Sequence, residues 1–574
     1  MSAPLVIQPY SSRFETIRTQ LSREAFENYG IEIFSTEKIP FADRTGPGFA
    51  KNLVKLLTVR LKKLKRSGRS FPDGIHIYEL GAGTGILAKR ILYLLKNNHP
   101  EIYRQLVLHL SDISKKTVAQ LKALDSFKEY RDHISFEVID AVKPAFTHKP
   151  LLVYFTNLID SIPHQRHIFI KDGQIFEVQI QTSLKKDAQI IDATSYPPKI
   201  LEQKEISDVI SSPSPTGRLI LAPQILTVLE EEAKPLPINV VVNISKKELE
   251  DLDGLKSFLN RDRPLPFNYS YPVRTMIREI IQGLEEGGFL LFSDFGVTSQ
   301  KYAQSLYIEF VSVIAFSVDF PSLAQIAETA GKTCYLTDNP PGFPQEMLID
   351  TLPGDKQIRD LFKRESIGGT QTQARDFMEN VKVILSGNEG EKSRKSEKID
   401  RLYQSLPAGT KIDYLLLNEL ALLLTKASFH QEASSYADLI PANYDHAVGI
   451  IYYLVKGKFE QERGDLKEAE KFFKEAIAVE GGRGFLAYVY LGELYWQQER
   501  YREYIEVVKK YLKYTRQWGH LKGMVSIAAA QERLFGAEAA RQTLRRVVAI
   551  GRNLKTISDS EKESLRQAEQ WLKK

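Results

Sequence analysis

The stretch "IHIYELGAGTGILAKRIL", residues 75–92, restricts this chain more than any other. An apolar run of strand length passes into glycine at every second position, Gly81, Gly83 and Gly85, and an amphipathic helical pattern follows. Glycine permits positive φ and lets a ligand approach the backbone, and the helix that starts near Ile86 offers free amides. In open α/β sheets, that junction is where ligands bind. Spacing excludes two phosphate cradles. The dinucleotide fingerprint needs glycine or alanine at Ile86, and a P-loop needs Gly-Lys-Ser or Gly-Lys-Thr where Ile86, Leu87 and Ala88 stand. What remains is E-x-G-x-G-x-G, beginning at Glu79.

From residue 75 the pattern alternates strand and helix: "IHIYEL", "ILAKRILYLLKN", "LVLHLSD", "SKKTVAQLKAL", "ISFEVIDA" and "LLVYFTNLID". Apolar strands in that rhythm predict a doubly wound parallel sheet, covered on both faces. An N-terminal helical segment over 1–70 precedes the α/β domain of 71–385, which carries an insertion at about 195–275. A charged linker is expected at 386–400 and an all-helical domain at 401–574. There, Gly457, Ala469, Phe473 and Ala476 take the small and aromatic positions of a tetratricopeptide repeat. Leu491, Gly492 and Tyr495 begin a second unit, and Ala528 and Ala540 mark a third.

Composition narrows the class. A formal net charge of +6 on 78 basic and 72 acidic residues is too mild for a nucleic-acid reader. Cys334 is the single cysteine, which excludes an intrachain disulfide and a multi-cysteine zinc site. The N-terminus lacks the pattern of a signal peptide, and no apolar run is long enough to span a bilayer. A cytoplasmic protein without membrane contact is the expectation. Among the histidines only His164 and His167 fall close together near the presumptive site, so no metal set is expected.

The pattern at Glu79 resembles the first motif of S-adenosylmethionine-dependent methyltransferases. That cofactor has a carboxylate that needs amides, an ammonium that needs Glu79, and ribose hydroxyls that Asp112 can accept at the next strand end. Asp140, after "ISFEVI", stands where such enzymes often place an acid for the adenine amino group. "NLIDSIP" (157–163), "LFSDFG" (291–296) and "FSVDFPSLAQIAETAG" (316–331) are similar to segments of the MidA-like family. That family includes the mitochondrial complex I assembly factor with protein-arginine methyltransferase activity. Leu158 departs from it, standing where the family pattern has glutamate.

The resemblance implies a Rossmann-like sheet and methyl transfer to a protein side chain, arginine favoured, with a protein substrate or assembly partner recruited by the helical repeats. Asn157 and Asp160 are the candidate acceptor-side residues, and His164 is a candidate proton shuttle. Asp294 is a candidate for the far side of the pocket. Two other readings stand beside this one: a small-molecule methyltransferase, and a non-catalytic adaptor whose α/β domain is a retained fold. Replacing Asp112 by Ala should weaken S-adenosylmethionine binding by about 1.5–3 kcal/mol, roughly 10- to 150-fold, in calorimetric titration. Equal affinity in variant and parent would refute the ribose assignment.

Overall fold

The computed structural model describes residues 4–29, 46–162, 164–192, 194, 198–259, 263–298, 306–309, 313–337, 344–352, 354–364, 368–387, 392–406, 411, 414–443, 450–479, 485–514, 520–554 and 559–573.

A central sheet is built from β2 (Ile75–Leu80), β3 (Leu106–Asp112), β4 (Ile134–Val138), β5 (Leu152–Thr156), β10 (Phe289–Val297), β11 (Thr333–Leu336) and β12 (Pro344–Asp350). The order is β11-β12-β10-β5-β2-β3-β4. The run from β10 to β4 is parallel, whereas β12 is antiparallel to β10 and β11 to β12. The sheet is therefore mixed, where a wholly parallel one was expected. β2 is buried along its whole length, as expected of a strand covered on both faces, although it carries His76 and Glu79.

Alternation sorts the strand residues between two cores. Ile75 and Ile77 pack with α2 (Gly46–Arg66), α3 (Ile86–Asn98) and α7 (Lys356–Arg364). Tyr78 and Leu80 face α5 (Tyr271–Gly283) and α6 (Phe320–Thr329) on the other side. By the same parity Glu79 and Asp112 lie on the first face. The strand order reverses at β2, which has β3 on one flank and β5 on the other. The glycine loop thus opens at the topological switch point.

A second sheet corrects two expected boundaries. It contains β1 (Leu5–Ser11), β6 (Arg166–Lys171), β7 (Gln174–Leu184), β8 (Leu229–Pro237) and β9 (Arg263–Tyr269). Its strands β6 and β7 lie before residue 195, where the insertion was expected to begin. The N-terminal segment is not purely helical, since β1 pairs with β7 before α1 (Ile17–Tyr29) begins. Arg166 is fully buried at the centre of this unit, donating to Glu177, Glu248 and the Ser12 hydroxyl at 2.7–3.1 Å. Buried Arg263 grips Asp319, the N-cap of α6, through both carboxylate oxygens and so ties β9 to the central fold.

The expected linker is also revised. Residues 388–391 lie outside the described set, but Lys392–Ser405 forms a helix, α9, with Ile399 and Tyr403 buried. The helical cluster already includes Phe377, Met378 and Val381 of α8 (Gly368–Ser386), and it reaches back to Ile86, the first residue of α3. Further along lie α10 (Tyr414–Lys426), α11 (His430–Asn443), α12 (Ile450–Arg463), α13 (Leu466–Val479), α14 (Phe485–Gln497) and α15 (Tyr501–Tyr514). They are followed by α16 (His520–Phe535), α17 (Ala537–Asn553) and α18 (Asp559–Lys573). None of the described helices is long and apolar enough to cross a membrane.

In the hairpin of α12 and α13, a Cβ on Gly457 would stand 2.4 Å from a ring carbon of Phe473, which is wholly buried. The glycine lets the two helices approach across the ring. Gly457→Val should therefore destabilise the fold by about 1–3 kcal/mol through overpacking, lowering the urea midpoint of the helical signal. An unchanged midpoint would show that the ring has room to move.

Candidate functional site

The three glycines all have positive φ, but they do different things. A Cβ on Gly81 would meet Leu158 Cδ1 at 2.7 Å, so the first glycine admits a side chain from the loop after β5. A Cβ on Gly85 would meet Leu121 and Phe127 at 2.8–2.9 Å. Gly85 also donates its amide to the Ala82 carbonyl and caps α3 in the left-handed conformation. Its bareness serves helix packing and the turn. Gly83 alone directs its amide to a candidate ligand group, donating to Asp112 Oδ2 at 3.4 Å.

Glu79 is almost completely buried and accepts a hydrogen bond from the Tyr154 hydroxyl at 2.9 Å. Burial pushes its carboxyl up to about 8, the Tyr154 bond opposes that shift, and the nearby charge of Asp112 adds to it. Tyr154 lies opposite Glu79 in the β2–β5 register. Sequence reasoning passed over it. The available signal was a tyrosine within an apolar strand expected to neighbour β2.

Asp112 ends β3. Its Oδ1 accepts the Ser114 amide at 2.9 Å and its Oδ2 the Gly83 amide, so the carboxylate is fixed in place. Burial raises its pKa, and the two amides pull it back. It is not a helix cap, because Ser114 fills that role for the helix Lys115–Ala123. Each Asp112 oxygen keeps a lone pair after accepting one amide, so two hydroxyls can still be bound. Asp140 follows β4, is exposed, and closes a turn by accepting the Val142 amide at 2.9 Å. The preceding residue, Ile139, donates to the Asp112 carbonyl, which keeps the two strand ends together.

Across the switch point, β5 ends in a strained loop. Asn157 has φ +50°, uncommon for a residue with a side chain, and its buried Oδ1 has no hydrogen-bond partner among the described residues. Its amide donates to the Ser293 carbonyl of β10. Asp160 is buried, and so is Asp294, which accepts the amides of Ile159, Asp160 and Phe295 at 2.8–3.2 Å. Burial raises both carboxyls, Asp160 to about 7, and Asp294 is pushed further by the charge of Asp160.

His164 makes its described contacts with the second sheet. Its ring lies 4.0 Å from that of Phe14, and its Nε2 is 4.0 Å from Glu248, within the polar network of the second sheet. Burial, then the charges of Arg166 and Arg23, lower its pKa to about 4. A neutral imidazole of that basicity is a poor proton shuttle at pH 7. His167 is buried beside Tyr307, and burial lowers its pKa to about 3.

Residues 57–309 match the model of a family described as "Putative S-adenosyl-L-methionine-dependent methyltransferase". S-adenosylmethionine is the cofactor of that family, and the matched segment contains every candidate cofactor and acceptor residue named above. Among solved structures, the chain is similar to a candidate methyl transfer enzyme from Burkholderia thailandensis bound to S-adenosyl-homocysteine. The identity is 15% and the TM-score 0.36, over 57% of this chain and 74% of that one. The CurJ carbon methyltransferase gives 12% identity and a TM-score of 0.21, over 52% of this chain and 54% of that one. At those scores neither superposition carries weight beside the family match. No curated protein is significantly similar to the chain.

The residues suit the cofactor. Among the described residues no cation pairs with buried Glu79, and Asp112 is a fixed acceptor at the adjacent strand end. A ligand ammonium needs Glu79 ionised. Because that group titrates near 8 in the free protein, its ionised fraction rises about tenfold from pH 6 to 7, and affinity rises with it. S-adenosylhomocysteine should accordingly bind about tenfold more tightly at pH 7 than at pH 6, with proton release. Calorimetry in buffers of different ionisation enthalpy measures both, and Glu79→Gln should abolish the pH dependence. A flat profile for the parent protein would remove Glu79 from the site.

Proposed function

We propose that this protein is an S-adenosylmethionine-dependent methyltransferase with a Rossmann-like catalytic domain, acting on a protein side chain, with arginine favoured. The observation that carries the reading is the convergence at one switch point of Glu79, Gly83 and Asp112 on one side and the strained Asn157–Asp160 loop on the other. Glu79 would hold the cofactor ammonium and Asp112 the ribose, with Asp140 beside the adenine.

When bound, the cofactor supplies an activated methyl group on a sulfonium. The protein then has to align the acceptor, exclude water and remove a proton. Leu158, lying over Gly81, forms an apolar wall beside the transfer path. Asp160, raised to about 7, is suited to pair with a guanidinium and accept its proton. The Asn157 side-chain oxygen Oδ1, buried and without a partner among the described residues, would accept from the acceptor nitrogen. The hairpins from α12 onward, read as tetratricopeptide-like repeats, would bring the protein substrate to this site. The approach of Gly457 to Phe473 supports that reading.

One observation favours a second reading, a non-catalytic adaptor. The MidA-like resemblance would put glutamate where Leu158 stands, and Leu158 is instead packed against the glycine loop. Transfer of labelled methyl from S-adenosylmethionine to arginine-bearing proteins separates the two. Asp160→Asn should lower transfer by about 10²–10⁴-fold while leaving cofactor affinity nearly intact. Cofactor binding with no transfer to any protein acceptor would favour the adaptor. Transfer at the parent rate by Asp160→Asn would exclude that residue as the base.

A further inference from the structure

Three histidines meet on the opposite face of the central sheet. His76 is the second residue of β2, and His109 lies in β3, where the parallel register sets it against Tyr78. His148 arrives from the loop before β5 and stacks on His76, with ring centroids 4.1 Å apart and planes 4° from parallel. One ligand nitrogen from each lies within 4.8 Å of the others. His76 and His109 are buried, whereas His148 is exposed. The sequence reading expected no such set, because the three are far apart in sequence and only strand register unites them.

Hydrogen bonds fix two of the tautomers. His76 Nε2 is 2.9 Å from the Asp73 carbonyl, which can only accept, so Nε2 carries the proton. His109 Nδ1 is 2.5 Å from Glu137 Oε1, and the Ser135 hydroxyl donates to the same oxygen at 3.0 Å. A carboxylate accepting in this way places the proton on His109 Nδ1. The remaining nitrogens, His76 Nδ1 and His109 Nε2, are then both bare, and they face each other at 2.9 Å.

Two bare nitrogens at that distance need a cation between them, either a proton, as in an imidazolium His109 paired with Glu137, or a metal ion. Tetrahedral zinc bound at about 2.0–2.1 Å holds neighbouring nitrogens about 3.3 Å apart, so the pair need open by only a few tenths of an ångström. A histidine ligand whose other nitrogen donates to a carboxylate or a carbonyl is the usual arrangement around a protein-bound metal. Both buried histidines have it.

We propose that His76, His109 and His148 bind a divalent transition metal of the zinc class, the exposed His148 ring turning out of its stack on His76 to aim a nitrogen at the ion, with Glu137 and the Asp73 carbonyl orienting the buried ligands. Imidazole donors suit zinc, nickel or copper, and the exposed side at His148 leaves a fourth position to water. The site lies about 16 Å along β2 from Gly81 and faces away from Glu79, so it stands apart from the glycine loop. It would clamp β2 and β3 to the loop that leads into β5.

The test uses the full chain after chelation and dialysis, titrated with zinc chloride by calorimetry and with cobalt(II) by visible absorption. The expected result is one ion per chain, tetrahedral cobalt bands and a higher melting temperature. His148→Ala alters an exposed side chain and should fold, yet lose at least about tenfold in zinc affinity, while Glu137→Gln should lose about 10–100-fold. Folded protein that binds neither metal, or His148→Ala with parent affinity, would overturn the proposal. Neither readout depends on methyl transfer.

Discussion

The buried carboxyl of Asp294 sets the shape of the candidate site. It stands near the end of β10 and accepts three amides, two of them from the loop that follows β5. A carboxyl so deeply buried is costly unless its oxygens are satisfied, and these amides satisfy them. Their capture turns the chain out of β5, supports the positive φ of Asn157, and sets Leu158 against Gly81. It also fixes the departure point of β6. The first glycine, the acidic pair and the second sheet all take their positions from this one group.

The sites on the two faces of the sheet are separated by strand alternation alone. On β2, Glu79 points toward the core of α2 and α3, while His76 and Tyr78 point the other way. A shift of register by one residue would exchange the two sets, so the apolar residues between them also act as registration marks. Ile75, Ile77 and Leu80 cannot leave their cores without moving a buried acid or a buried histidine into apolar packing.

What could be read from the sequence was what is encoded locally. The glycine loop, its flanking strand and helix, and Asp112 at the next strand end all lie within a short stretch whose periodicity changes visibly. β1 was missed because its only reason to be a strand is β7, more than a hundred residues away, and "LVIQPYS" has a proline and little alternation. The helix Lys392–Ser405 was read as linker because it buries only Ile399 and Tyr403 amid a charged surface. Tyr154, the histidine set and the displacement of His164 toward Phe14 follow from register and from tertiary folding, which no single stretch of sequence contains.

Ile86 is the first residue of the helix that begins at the glycine loop, yet its side chain is packed with Phe377, Leu417 and Tyr436 of the helical region. The two halves of the molecule are therefore not modules joined by a tether. A truncation at residue 400 would uncover an apolar surface beside the glycine loop and release the residue that starts its helix. Natural variation in the helices must respect the same contact. The chain can exchange binding surfaces on its outer hairpins freely, but the innermost ones are inherited together with the site they brace.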